Sequence, residues 1–306
     1  MTEAGAGTEP LAAEFERERA HLRRVAYAIL GSLTEADDVV QETWLRLLRV
    51  SDRREIRDLR AWLTTVASRV ALDTLESARV RREEYVGPWL PEPIVTRSRL
   101  LDGSPAGAAG EDPADRATLD ESVSMALLIV LERLSPAERT ASLLHDVFGF
   151  TFDQAADATG RSPASARKLA ERARRHVDEG RPRFEVGRAE QLELVGAFVA
   201  ACDEGDLTRL VSILDPDVVW RSDGGGKANA ARRVQRGAEK VARALLALAR
   251  GQVVAGYVAE INGVIGLVTE DADGRLSVIS FAFDAGRIAA IDIVRNPDKL
   301  AGVPAP

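Results

Sequence analysis

The stretch Thr151–Val177, "TFDQAADATGRSPASARKLAERARRHV", decides how the middle of this chain folds. Gly160 ends a short helix predicted over about residues 152–158, because glycine readily adopts the left-handed conformation that closes a helix. Ser162 and Pro163 then begin a longer helix, since serine caps a helix and proline suits its first turn. Two helices joined by a tight glycine-containing turn predict a helix-turn-helix.

The second of these helices is strongly basic. Residues 161–175 hold six Arg or Lys against one Glu, in a chain whose formal net charge is −7. The start of such a helix can reach base edges in the major groove while its later cations bind phosphates. The predicted DNA-binding residues are Arg161, Ser165, Arg167, Lys168, Arg172 and Arg175. A solvated charged helix is the alternative, but the capped turn in front of the helix favours DNA.

The overall composition limits the classes of function. The 306 residues suffice for two or three domains, and a hydrophobic content of 45% predicts buried cores. A net charge of −7 confines any contact with nucleic acid to a local surface. Cys202 is the sole cysteine, which excludes an internal disulfide and is typical of a reducing compartment. Neither a secretion signal nor an apolar run of about 20 residues occurs, so we expect a cytoplasmic protein without membrane contact.

Periodicity divides the chain into four segments. Apolar residues recur at helical spacing within residues 11–85 and 119–180, whereas residues 86–118 lose this period and are rich in proline and glycine. Beyond residue 188, helical segments lead into four strand-like runs. Hairpin turns separate these runs at Asn262-Gly263, Asp273-Gly274 and Ala285-Gly286. The prediction is a multidomain protein, with all-α helical domains over 11–85 and 119–180, a linker over 86–118, and an α+β domain with a curved antiparallel sheet over 188–306.

An acidic flank marks the helix predicted in "LTEADDVVQETWLRLL", residues 33–48. The acidic residues on its polar side are Glu35, Asp37, Asp38 and Glu42. An apolar stripe that includes Val39, Leu47 and Leu48 lies behind them. A dense acidic face is either simply solvated or docks a basic partner, and the spacing alone leaves both open.

A further helical segment, "LRAWLTTVASRVALDTLESARVRRE" at residues 59–83, combines an aromatic residue with basic ones. Bases stack on aromatic side chains while cations follow the phosphates, so this combination can hold unpaired DNA. The candidate residues are Trp62, Arg69, Asp73, Arg79, Arg81 and Arg82. Two alternatives stay open, because Trp62 can belong to the core and the arginines at 79–82 can complement the dipole at a helix C-terminus.

Three motifs, in order, resemble those of a known family. They are "EADDVVQETWLRLL", "LRAWLTTVASRVALD" and "LSPAERTASLLHDVFGFTFDQAADATGRSPASARKLAERARRHV". The first two are similar to region 2, and the third to region 4, of extracytoplasmic-function (ECF) sigma factors. The resemblance covers about residues 11–180. It implies transcription initiation as the function, with RNA polymerase core and promoter DNA as partners.

The resemblance also implies roles by position. The residues that match the helix bound by the β′ clamp coiled coil of the polymerase are Asp37, Asp38, Val39, Gln41, Glu42 and Trp44. Residues of about 60–82 match the part that melts and reads the −10 element, where a base is captured out of the stack. Residues 161–175 match the helix that reads the −35 element. Arg69 stands where many ECF sigma factors have Asn, which leaves the preferred −10 base open.

Three further segments resemble one subgroup of this family, in which a SnoaL-like domain of the NTF2-like fold is fused at the C-terminus. They are "YVGPWLPEP" at 85–93, "SDGGGK" at 222–227 and "NPDKL" at 296–300. The subgroup implies regulation in cis by that domain in place of a separate anti-sigma factor. The implied regulatory contacts are Trp89, Pro91, Asp223, Gly224, Gly225, Gly226, Lys227, Asn296, Pro297, Asp298 and Lys299. We expect these segments to bring the domains together in a monomer.

Two other classes of function compete with this interpretation. The first is a one-component helix-turn-helix regulator with a small-molecule-sensing C-terminal domain. This interpretation assigns no function to the acidic flank of the helix at residues 33–48. An enzyme is the weaker alternative, although SnoaL-like relatives include cyclases and isomerases. All histidines precede residue 188, so a histidine acid–base mechanism in the C-terminal domain is excluded. An arrangement that uses Asp217, Asp223 or Tyr257 stays open.

The glycines of "DGGGK" also suggest a phosphate-binding loop, because they free backbone N–H groups to face an anion. The segment lacks the spacing of a nucleotide-binding P-loop, and Ala228 stands where that loop has its metal-binding hydroxyl. We therefore predict a protein that is not an enzyme and that has no catalytic residues, cofactor or metal site.

Overall fold

A computed structural model describes residues 8–51, 56–97, 123–180, 186–249 and 253–306. The chain forms two compact units. One unit, called here the helical unit, comprises residues 1–83 and 130–179. The other, called the sheet unit, comprises residues 84–129 and 180–306. None of the described helices is long and apolar enough to cross a lipid bilayer.

Three long helices make up the first part of the helical unit. They are α1 (Thr8–Leu30), α2 (Leu33–Leu48) and α3 (Leu59–Glu83), and each packs against the other two. The apolar stripes predicted for these segments supply the buried core, with Leu22, Val25, Ile29, Val39, Val40, Leu47 and Leu63 all excluded from solvent. Ser32 caps α2, because its side chain accepts a hydrogen bond from the backbone N–H of Glu35.

Four helical segments complete the helical unit. α4 (Met125–Leu131) leads into it from the sheet unit, and α5 (Pro136–Ser142) continues through a π-helical turn at Leu143–Val147. α6 (Phe152–Thr159) and α7 (Pro163–Gly180) follow.

The caps predicted at Gly160 and Ser162 are confirmed, and the sequence pattern Ser-Pro-Ala-Glu at 135–138 supplies a further one. Ser135 and Glu138 form a reciprocal capping box at the start of α5. Gly160 ends α6 with a φ of 62°, in the left-handed region. Ser162 accepts a hydrogen bond from the backbone N–H of Ser165 at the start of α7. The predicted pair of helices around a glycine turn is therefore present, with α6 one residue longer than expected.

The sheet unit contains α8 (Arg188–Glu204), α9 (Leu207–Ile213) and α10 (Ala238–Ala249) beside a sheet. The strands are β1 (Val95–Arg97), β2 (Leu214–Asp223), β3 (Gln235–Arg236), β4 (Val253–Ile261), β5 (Val264–Asp271), β6 (Leu276–Asp284) and β7 (Arg287–Val294). Their order in the sheet is β1-β4-β5-β6-β7-β2-β3. A 3-10 turn at Pro297–Lys299 follows β7.

The described sheet is mixed. The predicted turns at 262–263, 273–274 and 285–286 join β4 to β7 as successive antiparallel hairpins. β2 pairs with β7 in parallel, which the expectation of an antiparallel sheet did not include. The parallel pairing is sterically reasonable because α10 and four strands separate β2 from β7 in the chain, so no tight turn joins the two.

Two apolar clusters cover opposite faces of the sheet, since successive residues of a strand point to opposite sides. One cluster joins the sheet to α8, α9 and α10 through residues such as Phe198, Leu245, Phe281 and Ile291. The other contains Leu90, Ala259, Ile261, Val268, Val278, Val294 and Leu300, with Val95 and Ile129 packed against it. Residues on both sides of the segment 98–122 therefore take part in the core of the sheet unit.

Candidate functional site

The basic helix α7 presents its predicted DNA-binding residues to solvent. Arg161, Ser165, Arg167, Lys168, Arg172 and Arg175 are all exposed. The residues between them, Ala166, Leu169, Ala170 and Ala173, are buried against the rest of the helical unit. One side of the helix is thus fixed by packing and the other is free to meet a polyanion.

Only part of this positive charge is neutralised within the protein. The Nε atom of Arg172 lies 3.0 Å from a carboxylate oxygen of Glu138, and Arg174 lies 2.6 Å from Asp146. The guanidinium of Arg167 stacks over the ring of Phe152 at 5.1 Å from its centroid. Among the described residues, Arg161, Lys168 and Arg175 form no ion pair and retain their charge for a partner.

The polymerase-binding candidates on α2 fall into two groups. Asp37, Asp38 and Gln41 are exposed and Glu42 is partly exposed. Val39 is 1% exposed, and Trp44 packs on Phe15 with their ring centroids 4.9 Å apart. Val39 therefore holds the helix in place and does not contribute to its surface.

Two leucines on α2 extend the exposed face beyond the predicted residues. The side chains of Leu45 and Leu48 are each 39% exposed, although the apolar stripe was expected to include Leu48. Together with Gln41 they lie at spacings of four and three residues, which places all three on one side of the helix. Spacing alone did not reveal these leucines, because an apolar residue at helical spacing predicts burial.

The −10 candidates on α3 lie in different environments. Trp62 is half-buried, whereas Arg69 and Asp73 are exposed. The Nε atom of Arg69 donates a hydrogen bond of 2.8 Å to the main-chain oxygen of Asp157 on α6. The side chains of Arg79 and Arg81 lie outside the described residues.

Arg82 differs from the expected surface contact, because its side chain is 14% exposed and takes part in an internal ion network. It lies 2.7 Å from a carboxylate oxygen of Glu132 and donates a hydrogen bond of 2.7 Å to the main-chain oxygen of Leu30. The same carboxylate accepts a hydrogen bond from the buried Arg139, which also donates one of 3.1 Å to the main-chain oxygen of Ala28. Burial is the main cause that lowers the pKa of Arg82, although Glu132 opposes this effect.

In the sheet unit, the three segments that resemble the subgroup with a fused C-terminal domain (85–93, 222–227 and 296–300) meet at Asp223. This carboxylate is fully buried. It accepts hydrogen bonds from the hydroxyl of Tyr85 at 2.5 Å, from the backbone N–H of Leu90 at 2.9 Å and from the Nζ atom of Lys299 at 2.8 Å. We call these four residues the Asp223 hub.

Aromatic and polar neighbours enclose the Asp223 hub. The Nζ atom of Lys299 lies 4.1 Å from the centroid of the Trp89 ring and donates a hydrogen bond to the main-chain oxygen of Leu90. Asn296 donates a hydrogen bond of 2.9 Å to the Tyr85 hydroxyl. Burial and the adjacent Asp223 raise the pKa of Tyr85, so its hydroxyl stays protonated and acts as a donor to the carboxylate.

The remaining predicted regulatory residues surround the hub. Pro91 is buried, and Pro297 opens the 3-10 turn that carries Lys299. Lys227 does not join the hub, because it forms an exposed ion pair of 2.6 Å with Asp298. Such exposed pairs contribute little to stability.

The glycines of "DGGGK" serve close packing. A Cβ atom on Gly224 would lie 2.4 Å from the main-chain oxygen of Ala228. One on Gly225 would lie 2.4 Å from the Nδ2 atom of Asn296, and Gly225 also has a φ of 60°. Gly226 has a φ of 72°. These positions need glycine for steric reasons, without reference to a phosphate.

The residues considered for catalysis take other positions. Asp217 is exposed on β2, Asp223 is held in its hub, and the hydroxyl of Tyr257 donates a hydrogen bond of 2.8 Å to the main-chain oxygen of Pro304. A cavity of about 620 Å³ lies among α8, α10 and the sheet, and apolar side chains such as Phe198 and Leu245 line it together with charged ones such as Asp271 and Arg295. Among the described residues, no cluster of three His, Cys, Asp or Glu could hold a metal ion.

Comparison with known proteins identifies the family. Residues 15–81 match sigma-70 region 2, and residues 124–177 match sigma-70 region 4. The chain is 40% identical over 306 residues to the ECF RNA polymerase sigma factor SigJ of Mycobacterium tuberculosis, covering 95% of this chain and 93% of that protein. The chain belongs to the ECF RNA polymerase sigma factor family.

Two further comparisons extend this assignment. The probable ECF sigma factor SigI of M. tuberculosis is 36% identical over 297 residues, which cover 95% of each chain. The crystal structure of M. tuberculosis SigJ aligns with a TM-score of 0.75 and 38% identity, covering 96% of this chain and 99% of that one. The C-terminal part of this sigma factor therefore lies within the region shared with its relatives.

The family resolves several of the expectations from the sequence. Sigma factors bind RNA polymerase core and promoter DNA and direct transcription initiation, which confirms the predicted function and disfavours the one-component regulator. The predicted helical domains and the α+β C-terminal domain are also confirmed, with α1–α3 as region 2 and α4–α7 as region 4.

Proposed function

We propose that this ECF sigma factor is a non-enzymatic initiation factor that its own C-terminal domain regulates in cis. Region 2 binds the β′ clamp through the exposed face of α2 and melts the −10 element along α3. Region 4 reads the −35 element with α7. The single observation that carries the regulatory part is the Asp223 hub, which makes the start of the linker between the regions part of the C-terminal core.

The energetics of the Asp223 hub support a regulatory joint. A buried carboxylate is stable only when charge and hydrogen bonds compensate its lost hydration, and Lys299 supplies the charge. Tyr85 and Leu90 supply the hydrogen bonds, and both belong to the chain that leaves α3. Detaching this part of the linker would leave the carboxylate of Asp223 with fewer donors, so the joined state is favoured.

The packing of region 2 on region 4 supports an inactive closed state. The −10 and −35 elements lie about 25 base pairs apart, or roughly 85 Å at 3.4 Å per base pair. In the helical unit, Arg69 of region 2 is hydrogen-bonded to Asp157 of region 4, and Arg139 to Ala28. Regions in such contact cannot occupy both promoter elements at once, so activity requires them to separate.

Run-off transcription with polymerase core tests the proposal. Asp223→Asn preserves the shape of the side chain and removes the charge that Lys299 compensates. We expect this variant to loosen the linker and to raise promoter-specific transcription at least threefold. Lys227→Ala is the matched control, because Lys227 belongs to the same loop but forms only an exposed pair. Equal transcription and equal affinity for core in Asp223→Asn and the unaltered protein would exclude regulation through the hub.

The remaining parts of the proposal concern partners and location. Polymerase core and promoter DNA both lie in the bacterial cytoplasm, where this sigma factor would act. With regulation built into its own chain, it would work as a monomer and would need no separate anti-sigma factor. A sedimentation measurement at micromolar concentration tests the monomer, and a dimer would contradict it.

A further inference from the structure

The turn between β4 and β5 contains an unusually placed asparagine. Asn262 has a φ of 50°, in the left-handed region, yet its side chain is 1% exposed. Turn asparagines tolerate this backbone conformation but usually face solvent at a hairpin tip. The burial of Asn262 shows that other parts of the chain pack over this turn.

Asn262 holds chain segments on both sides of residues 98–122. Its Oδ1 atom accepts a hydrogen bond of 3.1 Å from the backbone N–H of Ile94. Its own backbone N–H donates one of 2.9 Å to the main-chain oxygen of Ile94. Its Nδ2 atom donates one of 3.4 Å to the main-chain oxygen of Val123. One residue of the C-terminal domain thus binds the linker where it leaves and where it returns.

We call the hydrogen bonds of Asn262 to Ile94 and Val123 the Asn262 clamp, which is distinct from the β′ clamp of the polymerase. Strand pairing and apolar packing reinforce these hydrogen bonds. β1 follows Ile94 directly and pairs with β4, with Val95 opposite Ile261. Val95 and Ile129 both pack on the cluster that contains Ile261. Val123 is itself 1% exposed. Ile94 and Val123, which precede and follow residues 98–122, are therefore bound to the same hairpin.

We propose that Asn262 is a positioning residue that sets the usable length of the tether between regions 2 and 4. This proposal rests on the proposed function, because it requires both regions to bind one promoter. The chain from Ile94 to Val123 advances 29 residues, which could extend by roughly 95 Å at about 3.3 Å per residue. While Asn262 binds both ends, this length adds nothing to the separation that the regions can reach. The length of chain that the Asn262 clamp withholds from the tether is therefore comparable to the roughly 85 Å between the two promoter elements.

The tether length predicts how the protein tolerates promoters of different spacing. With the Asn262 clamp closed, the range of distances between regions 2 and 4 is limited. Both regions can then bind one promoter only when the spacer between its −35 and −10 elements falls within a narrow range of lengths. With the clamp open, the additional chain lets both regions bind when the spacer is longer. Asn262 thereby acts on specificity for spacer length without touching DNA or polymerase.

Three variants of the full-length protein test this role. Asn262→Gly keeps a backbone that accepts positive φ and removes both side-chain hydrogen bonds. Asn262→Asp keeps the acceptor for Ile94 and loses the donor to Val123. Ala285→Gly is the matched control, since Ala285 has a φ of 48° at another hairpin. The readouts are run-off transcription over templates whose spacer varies by up to six base pairs, and hydrogen exchange of the Ile94 amide.

We expect the unaltered protein and Ala285→Gly to lose at least tenfold activity three base pairs from the optimum. Asn262→Gly should lose less than threefold on longer spacers, with Ile94 exchange accelerated at least tenfold. Asn262→Asp should widen the tolerance with a smaller change at Ile94. Unchanged exchange in Asn262→Gly, or faster exchange with an unchanged spacer profile, would overturn the clamp. Failure of the unaltered protein to transcribe at any spacing would instead refute the proposed function on which the clamp depends.

Discussion

The guanidinium of Arg69 on α3 donates a hydrogen bond of 2.8 Å to the main-chain oxygen of Asp157 on α6. Arg69 is the residue of region 2 that stands where many ECF sigma factors have Asn, and Asp157 lies in the first helix of the region 4 helix-turn-helix. A side chain that binds region 4 is unavailable to a −10 base. Release of this contact therefore precedes any role of Arg69 on DNA.

Removing the Arg69 side chain should open the helical unit more often. A hydrogen bond of this kind contributes about 1 kcal/mol, so Arg69→Ala should raise the open population by roughly fivefold. Fluorescence energy transfer between labels at Ser77→Cys and Arg175→Cys, in a Cys202→Ala background, would report the opening. Asp157→Ala is the control, because it retains the main-chain acceptor. Identical transfer in Arg69→Ala and the control would contradict the prediction.

The ion network around Glu132 should stabilise the helical unit. Arg139 is buried, and its removal leaves a main-chain oxygen of Ala28 without this donor. Among the residues that the structure describes, Glu132 would then keep Arg82 as its one cationic partner. Breaking a buried pair by removing one partner costs about 3 kcal/mol. We expect Arg139→Ala to lower the free energy of unfolding by that amount in urea. Arg133→Ala, at an exposed neighbour, should change it by less than about 0.5 kcal/mol.

Local features of this fold could be predicted from the sequence because their causes are local. The capping box of Ser135 and Glu138 spans three residues, and Gly160 ends α6 through its own backbone conformation. The hairpin turns at 262–263, 273–274 and 285–286 depend on adjacent residues in the same way. The family resemblance added the order of the domains and the segments for which a regulatory role is proposed.

Contacts between distant residues could not be predicted in the same way. Tyr85 and Asp223 are 138 positions apart, and neither residue type indicates that the two share a hydrogen bond. Lys227 and Lys299 were both expected to make regulatory contacts, and the sequence does not reveal that Lys299 pairs with the buried Asp223 while Lys227 forms an exposed pair. Arg82 looked like a surface cation because its spacing does not reveal that Glu132 lies beside it. Such pairings depend on tertiary packing, for which the sequence supplies no periodic signal.

The protonation of His21 should make the stability of the helical unit depend on pH. Thr64 donates its hydroxyl hydrogen to the main-chain oxygen of Arg60, so its oxygen accepts from Nε2 of His21 at 3.0 Å. Nδ1 then faces the guanidinium groups of Arg24 and Arg60, each at 3.4 Å. Burial, together with these two cations, lowers the pKa of His21 to about 4.

Because this pKa lies below the unfolded value of about 6.5, the unfolded chain binds the proton more readily. The contribution of neutral His21 is therefore complete above pH 6.5 and is lost as the pH falls toward 4. We expect the free energy of unfolding to decrease more steeply over this interval in the unaltered protein than in His21→Gln. Parallel curves for the two proteins, measured by urea unfolding at half-unit steps of pH, would contradict the assignment.

The loop at Gly225 should tolerate no side chain. In Gly225→Ala, the new methyl group would clash with Asn296, whose Nδ2 atom donates to the Tyr85 hydroxyl, and the backbone would keep a φ of 60°. We expect a loss of about 1–3 kcal/mol in the stability of the sheet unit, measured by thermal unfolding. Gly302→Ala is the control, because a Cβ there meets nothing within 4 Å. Equal midpoints for the two variants would show that the loop does not require glycine.

The exposed leucines of α2 should contribute to polymerase binding. Leu45 and Leu48 lie beside Gln41 on a face whose neighbours Asp37 and Asp38 are charged. An apolar pair rimmed by charges is typical of a protein interface, where a central side chain contributes about 1–2 kcal/mol.

Leu45→Ser and Leu48→Ser should each weaken binding to polymerase core by roughly tenfold, since 1.4 kcal/mol corresponds to that factor. The stability of the free protein should change little, because both side chains are already exposed to water. Fluorescence anisotropy with labelled full-length protein would measure the affinity, and urea unfolding the stability. Leu47→Ser is the contrasting variant, because Leu47 is fully buried and its replacement should unfold α2. If the variants at 45 and 48 bind core as tightly as the unaltered protein, the leucines lie outside the interface, and the acidic side chains of Asp37 and Asp38 would carry the affinity.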